Sequence, residues 1–175
     1  MSWTILGALG VISILAGIWP ITGTATTWFP VLAVPAAAGL PFLIPPLRAV
    51  PLGETTWAFW GADVAGAAVM LLCAFLLLRA ADERRSEPRP GRAFGRAIWV
   101  TMFAVVAGNL VRGVFSSFVV HADLGTYLGS TLANLIVSAV TGAMFGVLVG
   151  VAAAVAAAVG GSAPTRIAES ARATG

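Results

Sequence analysis

The chain has 175 residues, of which 59% are hydrophobic and only 10% are charged. Soluble globular domains carry roughly a quarter charged residues, so this composition excludes an ordinary soluble domain with a polar surface. The apolar residues form long blocks almost free of ionisable side chains, which is the pattern of membrane-spanning helices. The sequence therefore predicts an all-α, polytopic membrane helical bundle of about four transmembrane helices.

Four apolar blocks are predicted to cross the membrane as one domain over residues 1–160. The fourth block carries no charge, and at helical rise it is ~48 Å long, beyond the ~30 Å hydrocarbon core. It must therefore tilt or project from the bilayer. The following residues, 161–175, are predicted to form a disordered cytoplasmic tail. The predicted spans cover about 3–21, 57–78, 97–120 and 128–159.

Residues 28–47, between the first two spans, are apolar but contain five prolines. Each proline in a helix interior removes an N–H donor and costs ~3 kcal/mol, and hydrocarbon offers no water to satisfy the freed carbonyls. We expect a re-entrant or interfacial segment on the outer side, with a broken fifth span as the alternative. The side on which the N-terminus lies depends on which of the two is correct.

The net charge is +3, and six of the ten arginines lie in one predicted loop, residues 79–97. The positive-inside rule predicts that this loop is cytoplasmic, and Arg166 and Arg172 place the C-terminal tail on the same side. The same rule explains the arginines without a nucleic-acid partner. The predicted location is the cell membrane, as a multi-pass protein whose first partner is the lipid bilayer.

Reactive side chains are scarce. The chain has one cysteine, Cys73, and one histidine, His121, which are too few for a metal or haem site. No nucleophile motif, metalloprotease motif or phosphate loop is present. We expect no metal, no cofactor, no catalytic residue and no enzymatic activity. His121 and Asp123 are interpreted as solvated residues of an outer turn.

Two ionisable residues lie well inside predicted spans, Asp63 in the second and Arg112 in the third. A lone charge in a membrane helix costs at least ~2.5 kcal/mol, so each should find a partner. Their depths below the outer ends of the spans, ~9 Å and ~12 Å at helical rise, agree. We expect an ion pair between the two spans.

Other polar residues lie near this pair. Two share a helix face with Arg112, and two lie at comparable depth on the fourth span. They could line an outward-facing polar pocket, or the pair could be a buried strut and the others interhelical hydrogen-bonding groups. The candidate intramembrane polar site comprises Asp63, Asn109, Arg112, Ser116, Asn134 and Ser138.

Small residues recur at every fourth position of the fourth span, from Ser130 to Ala158, and Asn134 is the one larger member. Gly142, Gly146 and Gly150 are at the centre of this face. Membrane helices pack closely along such faces, so the pattern predicts a helix-packing surface. The partner helix could belong to the same bundle, to a second copy or to another subunit.

These features favour a non-catalytic integral membrane protein, an accessory or scaffold subunit that associates with other membrane subunits or with itself. The alternative is a small-solute transporter or channel that acts as an oligomer, with a polar site near Asp63 and Arg112. The sequence does not identify a small-molecule substrate.

Overall fold

Long apolar helices dominate the structure, a computed structural model that describes residues 2–37, 40–41, 43–51, 55–82, 90–119, 121 and 123–173. The helices are α1 (Ser2–Gly17), α2 (Trp19–Trp28), α3 (Val34–Ala37), α4 (Trp57–Asp82), α5 (Pro90–Val119) and α6 (Leu124–Ala173), and a 3-10 turn covers Pro30–Ala33.

Among the described residues, three helices are long and apolar enough to cross a membrane, and the α1–α2 pair makes a fourth candidate if it counts as one span. The three are Trp57–Ala81, Pro90–Val119 and Leu124–Val159. The predicted all-helical membrane bundle is therefore confirmed. Among the described residues of 28–47 no helix is long enough to cross, so the fifth span is not found there.

The first span is bent rather than continuous, which corrects the prediction of one helix over residues 3–21. Helices α1 and α2 meet at 85°, and Ile18 between them has an extended backbone. Pro20 explains the break, because its ring would clash with the carbonyl four residues earlier in a continuous helix. As one of the first residues of a new helix, the same proline is tolerated.

Four helices enclose the core. Helix α5 packs against both α4 and α6, and α1 packs against α4 and α6 from the other side. We call the end where α4 finishes and α5 begins the arginine end, and the other the His121 end. Helix α1 finishes at the His121 end, because Gly17 lies against Leu47 and Arg48, and the Arg48 carbonyl is bonded to Trp60 near the start of α4.

The arginine end contains more helix and less loop than predicted for residues 79–97. Arg79 belongs to α4, whereas Arg92 and Arg96 belong to α5. Arg96 donates a hydrogen bond of 2.8 Å to the carbonyl of Leu78, near the end of α4. Hydropathy detects the hydrocarbon-spanning part of a helix, and the helix continues beyond it because arginine and alanine favour helix. The other arginines of this loop lie outside the described residues.

The ends of α6 also differ from the prediction. It begins at Leu124 rather than at residue 128, and its backbone is helical to Ala173, whereas the sequence predicts a disordered tail over residues 161–175. That segment contains four alanines and two arginines, which favour helix.

The glycine face of α6 packs against α5 of the same chain. A Cβ on Gly142 would lie 2.7 Å from the Met102 Cα, and one on Gly146 would lie 2.8 Å from the Ile98 Cα. Those distances are shorter than real Cβ contacts, so the glycines allow the two backbones to approach. Further along, the buried face moves to Ala153 and Ala157, because four residues rotate ~40° beyond one helical turn.

Replacing Gly146 by leucine should push α5 and α6 apart. We expect overpacking against backbone to lower the free energy of unfolding by ~1–3 kcal/mol. The measurement is the melting temperature of the detergent-purified protein, which should fall. Helix propensity cannot cause the loss, because leucine is the better helix former. Ala152→Leu, on the exposed face of the same helix, is the matched control and should melt like the parent. Equal melting of the two variants would contradict this packing.

Candidate functional site

The site is built where α4 and α5 cross. A Cβ on Gly66 would lie 2.9 Å from the Gly108 carbonyl oxygen, and one on Gly108 would lie 2.6 Å from the Gly66 oxygen. Only glycine permits this approach of the two backbones. Asp63 lies three residues before Gly66, and Arg112 lies four residues after Gly108. Because the helices are antiparallel, both side chains fall about one turn from the crossing, toward the His121 end.

Asp63 and Arg112 form the predicted ion pair. The Arg112 Nε lies 2.7 Å from the Asp63 Oδ1, and the side chains are 13% and 16% exposed, respectively. Arg112 also donates from Nη1 to the Asn109 Oδ1 at 3.0 Å. The planar guanidinium fork bonds the two acceptors in fixed directions, which a lysine could not do. Helix α4 supplies the carboxylate and α5 supplies the guanidinium, so neither charge is left unpaired in an apolar environment.

Asn109 connects this pair to the proline-rich segment and to α6. Its side chain is 1% exposed, and its Nδ2 donates to the Leu43 carbonyl at 2.9 Å. Leu43 has a left-handed backbone with φ of 47°, a conformation that costs a non-glycine residue ~1–2 kcal/mol. The bond from Asn109 helps to hold that turn of the chain. Asn134 of α6 donates to the Asn109 carbonyl at 2.8 Å.

Asn134 and Ser138 continue the same network along α6. Ser138 donates to the Asn134 Oδ1 at 3.1 Å, and Ser138 is 1% and Asn134 2% exposed. Gly113 makes room for Asn134, since a Cβ there would lie 2.5 Å from the Asn134 Nδ2. Five of the six predicted polar residues are thus joined by hydrogen bonds across α4, α5 and α6.

Ser116 is the exception. Its hydroxyl donates to the Arg112 carbonyl one turn earlier in α5, at 2.9 Å. Serine commonly satisfies itself in this way within a helix, so its position on the Arg112 face does not bring it into the side-chain network.

The buried part of the network is satisfied within the described residues. None of the buried side-chain nitrogen or oxygen atoms left without a hydrogen bond belongs to these six residues. Neither a nucleophile paired with a base nor a set of free donors converging on one point is found there, as acyl or phosphoryl transfer would need. The described residues also contain no group of three or more His, Cys, Asp or Glu that could hold a metal ion. The arrangement suits mechanical connection of helices.

A cavity of about 1520 Å³ lies beside the network. Its walls come from the end of α1, from α2, from residues 44–50 and from the start of α4, and both Asp63 and Arg112 line it. The segment that forms one wall is fixed by Ser13 of α1, which donates to the Pro45 carbonyl at 2.6 Å. The Leu47 amide donates back to the Ser13 carbonyl at 3.0 Å.

The turn between α5 and α6 has a structural explanation. The Asp123 Oδ1 accepts the Thr126 backbone N–H at 3.0 Å, and its Oδ2 accepts the Thr126 hydroxyl at 2.7 Å. These bonds cap the N-terminus of α6. The Thr126 hydroxyl, and then its N–H, lower the pKa of Asp123, so this carboxylate stays ionised at neutral pH. His121 is exposed in the same turn.

Sequence reasoning missed the glycines that position the site. Gly66 and Gly108 lie one turn from Asp63 and Arg112, and Gly113 directly follows Arg112. Glycines one turn away from two intramembrane charges indicate that the two helices cross closely, so this feature could have been predicted from the sequence. Arg48, which lines the cavity, was also not predicted as a site residue. Its neighbours Leu47 and Ala49 carry no motif that distinguishes it from an arginine in an interfacial loop.

Removing one member of the ion pair should destabilise the bundle more than removing both. Asp63→Ala leaves the arginine without its carboxylate, and Arg112→Ala leaves the aspartate without its guanidinium. For a buried pair, each such change lowers the free energy of unfolding by ~3–5 kcal/mol. Thermal melting of the purified single and double variants measures this coupling. We expect Asp63→Ala/Arg112→Ala to melt above either single variant. Single effects that simply add would contradict the pairing.

Comparison with known proteins adds no relative. No protein-family model matches the chain, and no match was found among curated proteins or among solved structures. By helix length and hydropathy the chain is a multi-pass membrane protein, and its function has to be inferred from its own residues.

Proposed function

We propose that this chain is a non-catalytic integral membrane protein that serves as an accessory or scaffold subunit of a larger membrane complex. The observation that carries this proposal is the satisfied polar network. Asp63, Arg112 and Asn109 contact one another and leave no buried donor or acceptor of their own free for chemistry. A group that moves protons or binds a solute in turnover needs such capacity, whereas a strut does not.

The exposed face of α6 is where we propose that a partner subunit binds. Its glycine face is covered by α5, so that face is not available to a second copy or to another subunit. The opposite face presents large apolar side chains that are more than half exposed. Lipid or the helices of a partner cover such a face in a membrane. It includes Leu128, Leu132, Ile136, Val140 and Met144.

Recovery of the tagged chain under mild detergent tests the proposal. We expect other polypeptides to accompany it at a fixed ratio through a second chromatographic step. The same tag on the Gly146→Leu variant controls for nonspecific recovery, because a variant with separated helices should lose its specific partners. A particle whose mass is a whole multiple of 17.8 kDa, with no other polypeptide, would contradict the proposal.

One observation favours the alternative, a small-solute transporter or channel that acts as an oligomer. Asp63 and Arg112 line the large cavity, so a solute in it would meet both charges. The double variant Asp63→Ala/Arg112→Ala separates the two functions. As a scaffold it should still recover its partners, whereas a transporter with this substitution would be folded but inactive.

The orientation proposed is that the arginine end faces the cytoplasm. The arginines at the start of α5, Arg92 and Arg96, support it through the positive-inside rule. Helix α1 begins at the arginine end, so the start of α1 and the C-terminal tail are also proposed to be cytoplasmic.

Labelling of single cysteines in intact cells tests this orientation. In a Cys73→Ala background, Ser86→Cys should resist a membrane-impermeant thiol reagent until the cells are lysed. His121→Cys, in the exposed turn at the opposite end, is the matched control and should react without lysis. Labelling of the first variant but not the second in intact cells would reverse the orientation.

A further inference from the structure

The cavity beside the polar network is mostly apolar and larger than a small-molecule site. Its volume of about 1520 Å³ exceeds the ~300–1,000 Å³ of typical ligand pockets. Ile14, Leu47 and Phe59 contribute apolar wall, while Thr22 and Thr26 line it from α2. An occupant that fits these walls has a long hydrocarbon part and a small polar part.

Arg48 is the unusual polar group of this cavity. Its Nε is buried and has no hydrogen-bond partner, and among the described residues no carboxylate forms an ion pair with it. The start of its side chain lies against Gly17, where a Cβ would be 2.9 Å from the Arg48 Cγ. Arg48 thus brings to the wall of the cavity a guanidinium charge that no described carboxylate pairs with, and an anionic oxygen in the cavity would form a charge-assisted hydrogen bond with this guanidinium.

The charge balance of the cavity points in the same direction. Three ionisable residues among the described part of the chain line it, namely Arg48, Asp63 and Arg112. Asp63 already accepts from Arg112 at 2.7 Å. The cavity therefore holds one positive charge, that of Arg48, with no counter-charge among its described lining residues.

The tryptophans beside Arg48 indicate its depth in the membrane. Its carbonyl accepts the Trp60 indole N–H at 3.0 Å, and Trp57 packs edge-on against Trp60 with ring centroids 5.5 Å apart. Tryptophans gather at the boundary between hydrocarbon and headgroups. An anion bound to Arg48 would thus sit at headgroup depth, with the apolar walls available to an acyl chain.

We propose that this cavity binds an anionic membrane lipid, with a headgroup oxygen accepting from Arg48 and an acyl chain against the apolar walls. The lipid completes the wall between α1, α2 and residues 44–50. This binding is separate from the accessory-subunit role and does not depend on a partner protein.

Lipid retention by the purified chain tests the proposal, measured by native mass spectrometry in detergent. The probes are phosphatidylglycerol and phosphatidylcholine with identical acyl chains, and inorganic phosphate as a competitor. We expect the wild type to retain the anionic lipid at least about tenfold more strongly, the value of one charge-assisted hydrogen bond. Arg48→Gln should reduce this retention to that of phosphatidylcholine, and Arg92→Gln, exposed at the arginine end, should leave it unchanged.

A second variant keeps the test decisive if Arg48→Gln does not fold. Ala36→Trp fills the cavity from its exposed position on α3, leaves Arg48 in place and should also abolish retention. Equal retention of both lipids, or unchanged retention in a folded variant of either kind, would overturn the proposal. Displacement of the lipid by millimolar phosphate would show a site for free anions instead. Because the purified chain is tested alone, each of these failures leaves the accessory-subunit proposal standing.

Discussion

Asn109 connects three parts of the bundle and is itself 1% exposed, so water cannot satisfy its polar groups. Its Oδ1 accepts from Arg112, its Nδ2 donates to the Leu43 carbonyl, and its own carbonyl accepts from Asn134. In hydrocarbon an unpaired polar group costs several kcal/mol, so each of these groups must be bonded within the protein. Arg112 is therefore bonded to α4 through Asp63 and to Asn109 within α5. Asn109 in turn is bonded to α6 and to residue Leu43 between α3 and α4.

The cavity is a consequence of the same connections. The bend at Ile18 turns α2 away from the bundle, and residues 43–48 return to it because Asn109, Ser13 and Trp60 bond their carbonyls. Between the departing helix and the returning segment a space remains that the side chains do not fill. This space opens to the surface of the bundle rather than being enclosed in its core, so it does not conflict with the close packing of the interior.

The features that could be predicted from the sequence depend on residues close together in the chain and on the apolar environment of the membrane. Asp63 and Arg112 were expected to pair because few charges occur in the spans and helical rise gives their depth. Gly146 was expected on a packing face because its spacing repeats. The acceptor for Asn109 could not be predicted, since the Leu43 carbonyl is 66 residues away in sequence and belongs to irregular backbone. The bend at Ile18 was not predicted, because hydropathy alone does not distinguish a bent helix from a straight one in an uncharged segment. Pro20 was the sequence signal for it.

Hydrogen exchange at the Leu47 amide tests the central role of Asn109 most directly. That amide is bonded to the Ser13 carbonyl in the folded protein, and Asn109→Leu removes the side-chain bond to Leu43 while keeping the backbone carbonyl that Asn134 uses. If Asn109 holds the segment, exchange at Leu47 should accelerate at least about tenfold through local opening, while amides near Gly146 remain protected. Unchanged exchange at Leu47, or an equal acceleration throughout the bundle, would contradict this role.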